Sequence, residues 1–367
     1  MTKTLSRRCV LKAGVAAGAV STVAGLGLST PALAQGRRVT VIDGYPDRSM
    51  WLQVLSNFYL PEVNRELEAA GAEPMNFQES YGGSIVRPRG VLEGMRLGLG
   101  DIGVVTTIFH NSSLPSQALS AVTPFISSDP LLVARSIDEI ANEFPSMREE
   151  FEAQNQVYLA TGVVLDSYQM FSRTPIAHVE DMQSMRVAGA GYNLRYLEGI
   201  DGAVGVRGGL TDFYNMIQTN VVDAAMLWPE AANTFGIVEV APHMLRADLG
   251  AVNSKTLTAN LDFWNTLSEA EQTALRTAAI QYRDEMANEA ARRAGDAEAA
   301  YVAAGGTIVD LPADERELWA AQMPNISAEW VATLNEAGRD GSAMLSAYIQ
   351  KLRDGGATPV RDWSAES

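Results

Sequence analysis

The sequence predicts an α/β protein with two lobes that are joined by one long helix. The chain has 367 residues, which is long for a single hydrophobic core. Short apolar runs of strand length alternate with stretches of helical periodicity, as in proteins built around parallel sheets. In addition, a helix-forming stretch begins at Ser268 and contains no glycine or proline before Gly295.

The composition and charge exclude several classes of function. Hydrophobic residues make up 47% of the chain and the formal net charge is −16, which fits neither a multi-span membrane protein nor a disordered one. So acidic a protein repels phosphate backbones and anionic lipid, so we expect no nucleic-acid partner. The only cysteine is Cys9, so the chain after residue 34 has neither disulfides nor thiol chemistry.

Residues 1–34 have the pattern of an export signal. Arg7 and Arg8 precede an apolar run from Ala13 to Leu28, and a small-residue cleavage site predicts a mature protein that begins near Gln35 in the periplasm. The paired arginines favour the twin-arginine route, and an ordinary Sec leader is the alternative. Cys9 precedes the apolar run, which excludes a lipoprotein cysteine.

The first strand and the helix after it offer candidate ligand contacts. Arg38–Ile42 is a predicted strand, and a helix is predicted from Ser49 to Ala70, with a possible kink at Pro61. The turn between them contains Tyr45, and Trp51 begins the helix. Both are candidates because ligands bind at the carboxyl ends of strands in α/β sheets. Alternatively, Trp51 only packs the helix onto the sheet.

The segment Gly98–Gly103 matches the dinucleotide-binding pattern G-x-G-x-x-G, but its context is wrong. A dinucleotide fingerprint follows a strand and opens a helix. Here a helix over 89–97 precedes the glycines, and a strand over Ile102–Thr106 follows them. We therefore predict no dinucleotide and no other cofactor, and we place Thr106 and Thr107 at the cleft end of that strand.

The stretch from His178 to Pro229 is predicted to form one wall of a ligand cleft. It begins with a strand that ends in a glycine-rich turn near Gly189. A helix starting near Asp212 and an apolar strand over 221–227 follow. Strands over 157–165 and 168–173 precede this stretch, the first of them at a crossing between the lobes.

Several of these segments resemble the extracytoplasmic solute-binding proteins of TRAP transporters, the DctP-like family. The residues that carry the resemblance are Gly202, Ala203, Asp212, Tyr214, Gln218 and Asp223, the Leu-Gly-x-x-Asp-x-Gly block that ends at Gly103, and the Pro124-Phe125 pair. The resemblance implies two lobes that close over a small organic solute, and membrane subunits of an ion-driven permease as partners.

The long predicted helix fits this resemblance, because such receptors have a helix that bridges both lobes. Ser268 and Glu271 form a capping box at its start, and helix signals continue to Gly305. The alternatives are a coiled-coil arm or two helices broken at Gly295. The predicted division is lobe I at 35–165 and 254–293, and lobe II at 166–253 and 294–367. The tail from Asp354 is expected to fray.

The polar residues that the family implies for ligand binding are absent from their expected positions. Ala188 and Tyr168 occupy positions where the family has arginines, and Leu227 or Trp228 occupies that of an asparagine. These changes predict a more apolar, aromatic cleft, for a solute with a ring, an alkyl part or a cationic group. Arg87 is the candidate replacement cation, or else a solvated surface arginine.

The full set of predicted ligand-binding residues comes from both halves of the chain. It comprises Tyr45, Trp51, Arg87, Thr106, Thr107, Tyr168, Ala188, Gly189, Tyr192, Asp212, Tyr214, Trp228 and Glu230. Glu230 is either a partner for a cation or an acid at a helix N-terminus.

No catalytic or metal-binding motif accompanies these residues. The sequence has no H-E-x-x-H motif, no G-x-S-x-G elbow and no Walker loop, so a binding protein is favoured over an enzyme. An ABC-type solute receptor and a secreted α/β enzyme with an unrecognised site are the alternatives.

Overall fold

The computed structural model describes residues 36–364, which contain two separate β-sheets. The predicted export signal, with Cys9, lies outside the described residues. In chain order the strands are β1 Arg38–Ile42, β2 Asn76–Ser80, β3 Ile102–Val105, β4 Gln156–Leu165, β5 Gln169–Ser172, β6 Arg186–Gly189, β7 Val204–Arg207, β8 Ala224–Leu227, β9 His243–Arg246, β10 Val252–Asn260 and β11 Thr307–Asp310.

Helices cover both sheets and fill most of the remaining chain. In chain order they are α1 Met50–Val54, α2 Leu60–Ala69, α3 Val91–Arg96, α4 Pro130–Glu143, α5 Ser146–Glu152, α6 Leu210–Gln218, α7 Pro229–Thr234, α8 Leu261–Trp264, α9 Glu269–Ala303, α10 Ala313–Gln322, α11 Ile326–Glu336 and α12 Gly341–Asp354. A π-helical turn over Leu55–Tyr59 joins α1 to α2, so the expected helix at 49–70 is nearly continuous despite Pro61.

The first sheet has the strand order β2-β1-β3-β10-β4. Strands β1, β2 and β3 are parallel, and β10 is antiparallel to both β3 and β4. The carboxyl ends of β1, β3 and β4 therefore lie at the same edge as the amino end of β10. This edge is one side of the candidate site.

The second sheet has the order β11-β9-β5-β8-β6-β7. Strands β6, β7 and β8 are parallel, and β5 is antiparallel to β8 and β9. The carboxyl ends of β6 and β8 thus meet the amino end of β5 at one edge. The sequence did not reveal β7, β9 and β11, since each has four residues and β7 and β11 are mostly exposed.

Helix α9 confirms the predicted long helix, and Gly295 does not break it. Its 35 residues span ~50 Å. The capping box of Ser268 and Glu271 is present, and arginine–glutamate pairs such as Arg293 with Glu289 (2.5 Å) support the helix just before the glycine.

The two ends of α9 contact different sheets. In its first half, the hydroxyl of Tyr282 donates to the carbonyl oxygen of Trp51 (3.1 Å), and Arg283 pairs with Asp138 of α4 (2.7 Å). In its second half, the hydroxyl of Tyr301 donates to the carbonyl oxygen of Ala241 (2.5 Å), next to β9. The helix also contacts β4, α7 and β11. It therefore bridges both halves of the molecule, as the sequence predicts.

The C-terminal tail is ordered as far as the structure describes it, so the expectation that it frays from Asp354 is wrong for residues 354–364. Trp363 is fully buried, and its indole nitrogen donates to the carbonyl oxygen of Pro124 (2.8 Å). The backbone nitrogen of Val360 donates to Phe125 nearby (3.1 Å). The buried side chain of Trp363 fixes this segment, although the residues next to it in the sequence are mostly polar. Composition alone therefore does not predict that the segment is ordered.

The last helices contact regions on both sides of the molecule. The indole nitrogen of Trp330 in α11 donates to the carbonyl oxygen of Pro115 (2.8 Å), and α12 packs against α4. The indole nitrogen of Trp319 in α10 instead donates to the carbonyl oxygen of Tyr196 (2.6 Å). Among residues 36–364, every helix is too short or too polar to cross a membrane.

Replacing Gly295 by alanine should stabilise the protein by about 0.5–1 kcal/mol. The residue lies inside α9, and an added Cβ meets nothing within 4 Å, so only the entropy of the unfolded chain changes. Gly305→Ala is the matched control. Its surroundings are equally open, but its φ of +95° is unfavourable for alanine. Urea denaturation should show a higher midpoint for the first variant and a lower one for the second. Equal shifts would contradict the helical assignment at 295.

Candidate ligand-binding site

A cavity lies between the edges of the two sheets. Its empty volume, counted together with the space that opens to solvent, is ≈ 380 Å³. Apolar and aromatic side chains form most of its wall, with one amide, one aliphatic hydroxyl and one charged group. The lining residues are Tyr45, Ile108, Phe109, Leu165, Tyr168, Ala190, Asn193, Leu210, Phe213, Met226, Trp228, Ser254 and Lys255.

The topology explains why these residues meet. In the first sheet, Tyr45 follows β1, Ile108 and Phe109 follow β3, and Leu165 ends β4. Ser254 and Lys255 lie near the amino end of the antiparallel strand β10, which reaches the same edge. Ligands of α/β sheets bind at such edges.

The second sheet and α6 supply the opposite wall. Tyr168 precedes β5, Ala190 and Asn193 follow β6, and Trp228 follows β8. The rings of Tyr168 and Trp228 lie 5.6 Å apart between centroids. Leu210 and Phe213, in the first turns of α6, complete this side.

Lys255 is the charged residue of the cavity wall, and it is 3% exposed. Its Nζ lies 4.4 Å from the ring centroid of Tyr45 and 4.3 Å from that of Trp51. Nζ also donates to Oγ1 of Thr106 (3.1 Å). Tyr45 and Trp51 contact each other edge to face, 5.0 Å apart. The ammonium is thus held by two aromatic faces and one hydroxyl.

Asp43 is the acid whose charge acts on the Lys255 ammonium. The carboxylate is 1% exposed and accepts hydrogen bonds from the backbone nitrogen of Tyr45 (2.7 Å) and the indole nitrogen of Trp51 (3.2 Å). Burial raises the pKa of Asp43 and lowers the pKa of Lys255, while the attraction between the two opposes both shifts. Within the described residues, Lys255 has no carboxylate at ion-pair distance.

Two close approaches join the halves of the molecule across the cavity. Gly191, after β6, has a φ of +59°, and a Cβ there would lie 2.7 Å from the carbonyl oxygen of Ile108, after β3. Arg89 stacks on the ring of Phe109 at 4.0 Å and donates to the carbonyl oxygen of Gly208 (3.4 Å). These contacts close the cleft around the cavity.

Five of the residues chosen from the sequence lie at this site. Tyr45, Tyr168 and Trp228 line the cavity, and Trp51 and Thr106 hold Lys255. Trp51 is therefore buried and also shapes the site.

Gly189 and Ala188 lie directly behind the cavity wall. A Cβ at Gly189 would lie 3.1 Å from Oδ1 of Asn193 and 3.4 Å from the terminal methyl of Met226, both of which line the cavity. Ala188 is fully buried in β6 but is not part of the wall.

The remaining choices lie outside the wall. Arg87 is exposed, and Asp212 is an exposed acid that accepts a hydrogen bond from the backbone nitrogen of Gly209 (3.2 Å). The hydroxyl of Tyr214 donates to Glu239 (2.8 Å), away from the cavity. Tyr192 is half-buried, and Thr107 is buried with its hydroxyl unpartnered.

Glu230 supports Trp228 from behind. Its carboxylate accepts hydrogen bonds from the indole nitrogen of Trp228 (3.2 Å) and the hydroxyl of Thr234 (2.8 Å). Burial raises the pKa of Glu230. Asp166, in the link between β4 and β5, is also buried, and burial together with the Glu230 charge raises its pKa. Glu230 lies in the first turn of α7, as one alternative from the sequence has it, and it also orients the wall residue Trp228.

The sequence reasoning missed most of the apolar wall residues, and Lys255 is the charged wall residue that it missed. Residues 242–258 are mostly polar, and the sequence predicts a strand only at 257–260. In the structure, β10 already begins at Val252. The structure shows that all nine residues of β10 are buried and that Lys255 is the charged one among them, but the sequence itself carries no signal of this burial. The polar residues of this run favour a loop in the sequence. They are buried in the structure because Asn253, Ser254 and Thr256 are hydrogen-bonded in the interior.

Two sheets, a bridging helix and a cavity between the sheet edges define a two-lobed solute-binding protein. Solved structures share this fold. A TRAP solute-binding protein from Rhodoferax ferrireducens T118 in complex with benzoate has 15% identity and a TM-score of 0.75, over 87% of this chain and 98% of that one. A Bordetella bronchiseptica TRAP protein with bound mandelate has 15% identity and a TM-score of 0.75, over 86% and 99%.

A third similar structure is a marine metagenome TRAP solute-binding protein, from an unidentified microbe, in complex with pyroglutamate. It has 16% identity and a TM-score of 0.73, over 86% of this chain and 99% of that one. The sequence model of "Bacterial extracellular solute-binding protein, family 7" (DctP) matches residues 67–333. The chain belongs to this family, and the resemblance stated from the sequence is confirmed.

Replacing Gly191 by alanine should weaken ligand binding by roughly 10-fold or more. The added methyl meets the Ile108 carbonyl and opposes the closed arrangement, so less protein is competent to hold a solute. Isothermal titration with the acid that most stabilises the wild type measures the change.

Gly71→Ala is the control, because its φ of +69° carries the same backbone penalty with nothing within 4 Å. Both variants should lose similar stability without ligand, and only Gly191→Ala should lose affinity. Equal affinities would show that the contact with Ile108 is not needed for binding.

Proposed function

We propose that this protein captures a small organic acid in the periplasm and presents it to the membrane subunits of a TRAP transporter. The observation that carries the proposal is the cavity between the sheets, with Lys255 in its wall. An ion-driven permease then moves the solute, and this component uses no ATP. The long bridging helix favours this assignment over an ABC-type receptor, and family membership favours a receptor over a secreted enzyme.

The cavity wall favours a carboxylic acid with a ring or another apolar part. Tyr168, Trp228 and Phe213 offer aromatic surface, and the buried ammonium offers one positive charge. A cationic solute, which the sequence left open, meets repulsion from Lys255. The similar structures hold benzoate, mandelate and pyroglutamate, each a small acid with a ring.

Capture by closure requires the halves to move about the links between the sheets. We propose that lobe I comprises residues 35–165 and 254–293, and lobe II residues 166–253 and 294–367. The lobes are connected by helix α9 and by two links, one at 165–166, which contains Asp166, and one at 253–254. Solute binding favours the closed form. The segment beyond α9 contacts both sides and braces them.

Export completes the proposal. The leader at residues 1–34 directs the chain to the periplasm and is cleaved near Gln35. The Arg7-Arg8 pair supports the twin-arginine route. The mature protein would then act as a receptor without cofactor or catalytic step.

A thermal-shift screen of the protein without residues 1–34 tests the function. Ring-containing acids such as benzoate, mandelate and pyroglutamate should raise the melting temperature, because binding to the folded state stabilises it by about 2.7 kcal/mol at about 100 times the dissociation constant. Aliphatic dicarboxylates and amines of similar size are the comparison compounds. If only dicarboxylates or only amines stabilise the protein, the proposed solute class is wrong. If no small solute does, the proposed capture function fails.

A further inference from the structure

We propose that Lys255 binds the carboxylate of the solute and that the site accepts one carboxylate only. The inference rests on the proposed function and names the group that recognises the solute. It starts from the position of the ammonium, which lines the cavity while its stem is buried in β10.

The ammonium has hydrogen-bonding capacity to spare on its cavity side. A protonated lysine carries three N–H donors. Thr106 accepts one of them, and the rings of Tyr45 and Trp51 lie beside the ammonium without accepting a conventional hydrogen bond, so two donors remain. A carboxylate in the cavity would accept from the free donors at short range. Charge-assisted bonds of this kind are about twice as strong as neutral ones.

Because Lys255 is buried, pairing with such an anion stabilises it more than it would stabilise an exposed lysine. An isolated cation away from water is costly, and a paired one much less so. Asp43 offsets part of this cost from behind the aromatic rings, where its oxygens are already engaged by the nitrogens of Tyr45 and Trp51. The solute carboxylate would supply the missing close partner, so its binding relieves a cost that is present in the empty protein.

The other cations near the cleft are placed differently. Arg89 is exposed at the rim, where it is stacked on Phe109 and bonded to Gly208. Arg186 and Arg195 are engaged by Asp223 and Glu329 on the surface. The cavity wall thus offers one positive charge, and the Asp43 carboxylate behind it would repel a second anionic group. A monocarboxylate with an apolar body matches this arrangement.

Three variants test the role of Lys255 by isothermal titration with benzoate, (R)-mandelate and pyroglutamate, and with their uncharged amides. Lys255→Met should weaken binding of each acid that binds the wild type by at least about 10-fold and up to about 100-fold, since a charged hydrogen bond is lost. Lys255→Arg keeps the charge and should recover part of that loss. Arg87→Ala, at an exposed arginine outside the cavity wall, should leave affinity unchanged. The amides should bind weakly to all forms.

The Lys255→Met protein also has a readout without ligand. The buried Asp43 then loses its compensating charge, so the melting temperature of the ligand-free variant should lie below that of the wild type. If an acid binds Lys255→Met as tightly as wild type, the inference fails while the proposed function survives. Loss of binding in Arg87→Ala alone would assign the anchor to Arg87. If no acid binds the wild type, the proposed function fails, and the inference fails with it.

The pH dependence gives a second, independent test. Burial lowers the pKa of Lys255, and the protonated form is the one that binds a carboxylate. Affinity should therefore be highest below this lowered pKa, which is about 8, and should fall as the pH rises through it. Lys255→Arg should show a flatter profile, because arginine stays charged at these pH values. A steep fall that is equal in both proteins would assign the titration to another group.

The effects of the other titratable groups near the cavity on the pH profile can be distinguished from that of Lys255. Those groups are Asp43, Tyr45, Arg89, His110, Asp166, Tyr168 and Asp212. Burial raises the pKa of Tyr45 and of Tyr168, so both stay neutral. Burial lowers the pKa of His110, which keeps it neutral above pH 7. Asp166 has a raised pKa and is unchanged in Lys255→Arg, so the comparison of the two profiles separates its effect.

Discussion

The buried ammonium of Lys255 is the interaction on which the arrangement of the binding site depends. A cation that is 3% exposed needs partners from several elements, and it finds them in Tyr45, Trp51 and Thr106. These residues follow β1, begin α1 and follow β3, so one charge fixes the relative positions of three segments. Asp43 completes the set by holding the backbone of Tyr45 and the indole of Trp51. The aromatic pair is thus rigid before any solute arrives, which lowers the entropy cost of binding.

The opposite wall is rigid for a comparable reason. Trp228 is held by Glu230, and its ring lies against that of Tyr168. An aromatic pair on each side of the cavity, one backed by Asp43 and one by Glu230, gives the site two firm faces and a single charge. Helix α9 keeps these faces in register, because it is anchored to Trp51 at one end and beside β9 at the other. The bridging helix and the site are therefore mechanically connected through Trp51.

Sequence patterns predicted most of the fold because the decisive signals were local. The strand at Arg38–Ile42, the capping box at Ser268 and the uninterrupted helix after it each depend on neighbouring residues. The short strands β7, β9 and β11 were missed because four residues carry little periodicity, and the buried Trp363 was missed because its partner, Pro124, is distant in sequence. Contacts of that kind are set by packing, which local propensity does not encode.

For the site, the aromatic residues could be predicted and the cation could not. Tyr45, Tyr168 and Trp228 stand beside strand ends, where the α/β rule places ligands. The sequence offers Arg87 as a candidate, because the loss of the family's arginine suggests that another arginine replaces it. The buried cation instead comes from an antiparallel strand whose amino end reaches the same edge. Because β10 runs against its neighbours, the strand-end rule directs attention to its far end, near Asn260, and away from Lys255. A charge inside a fully buried strand has to face either a partner or a ligand. That physical requirement identifies Lys255 more directly than any motif in the sequence.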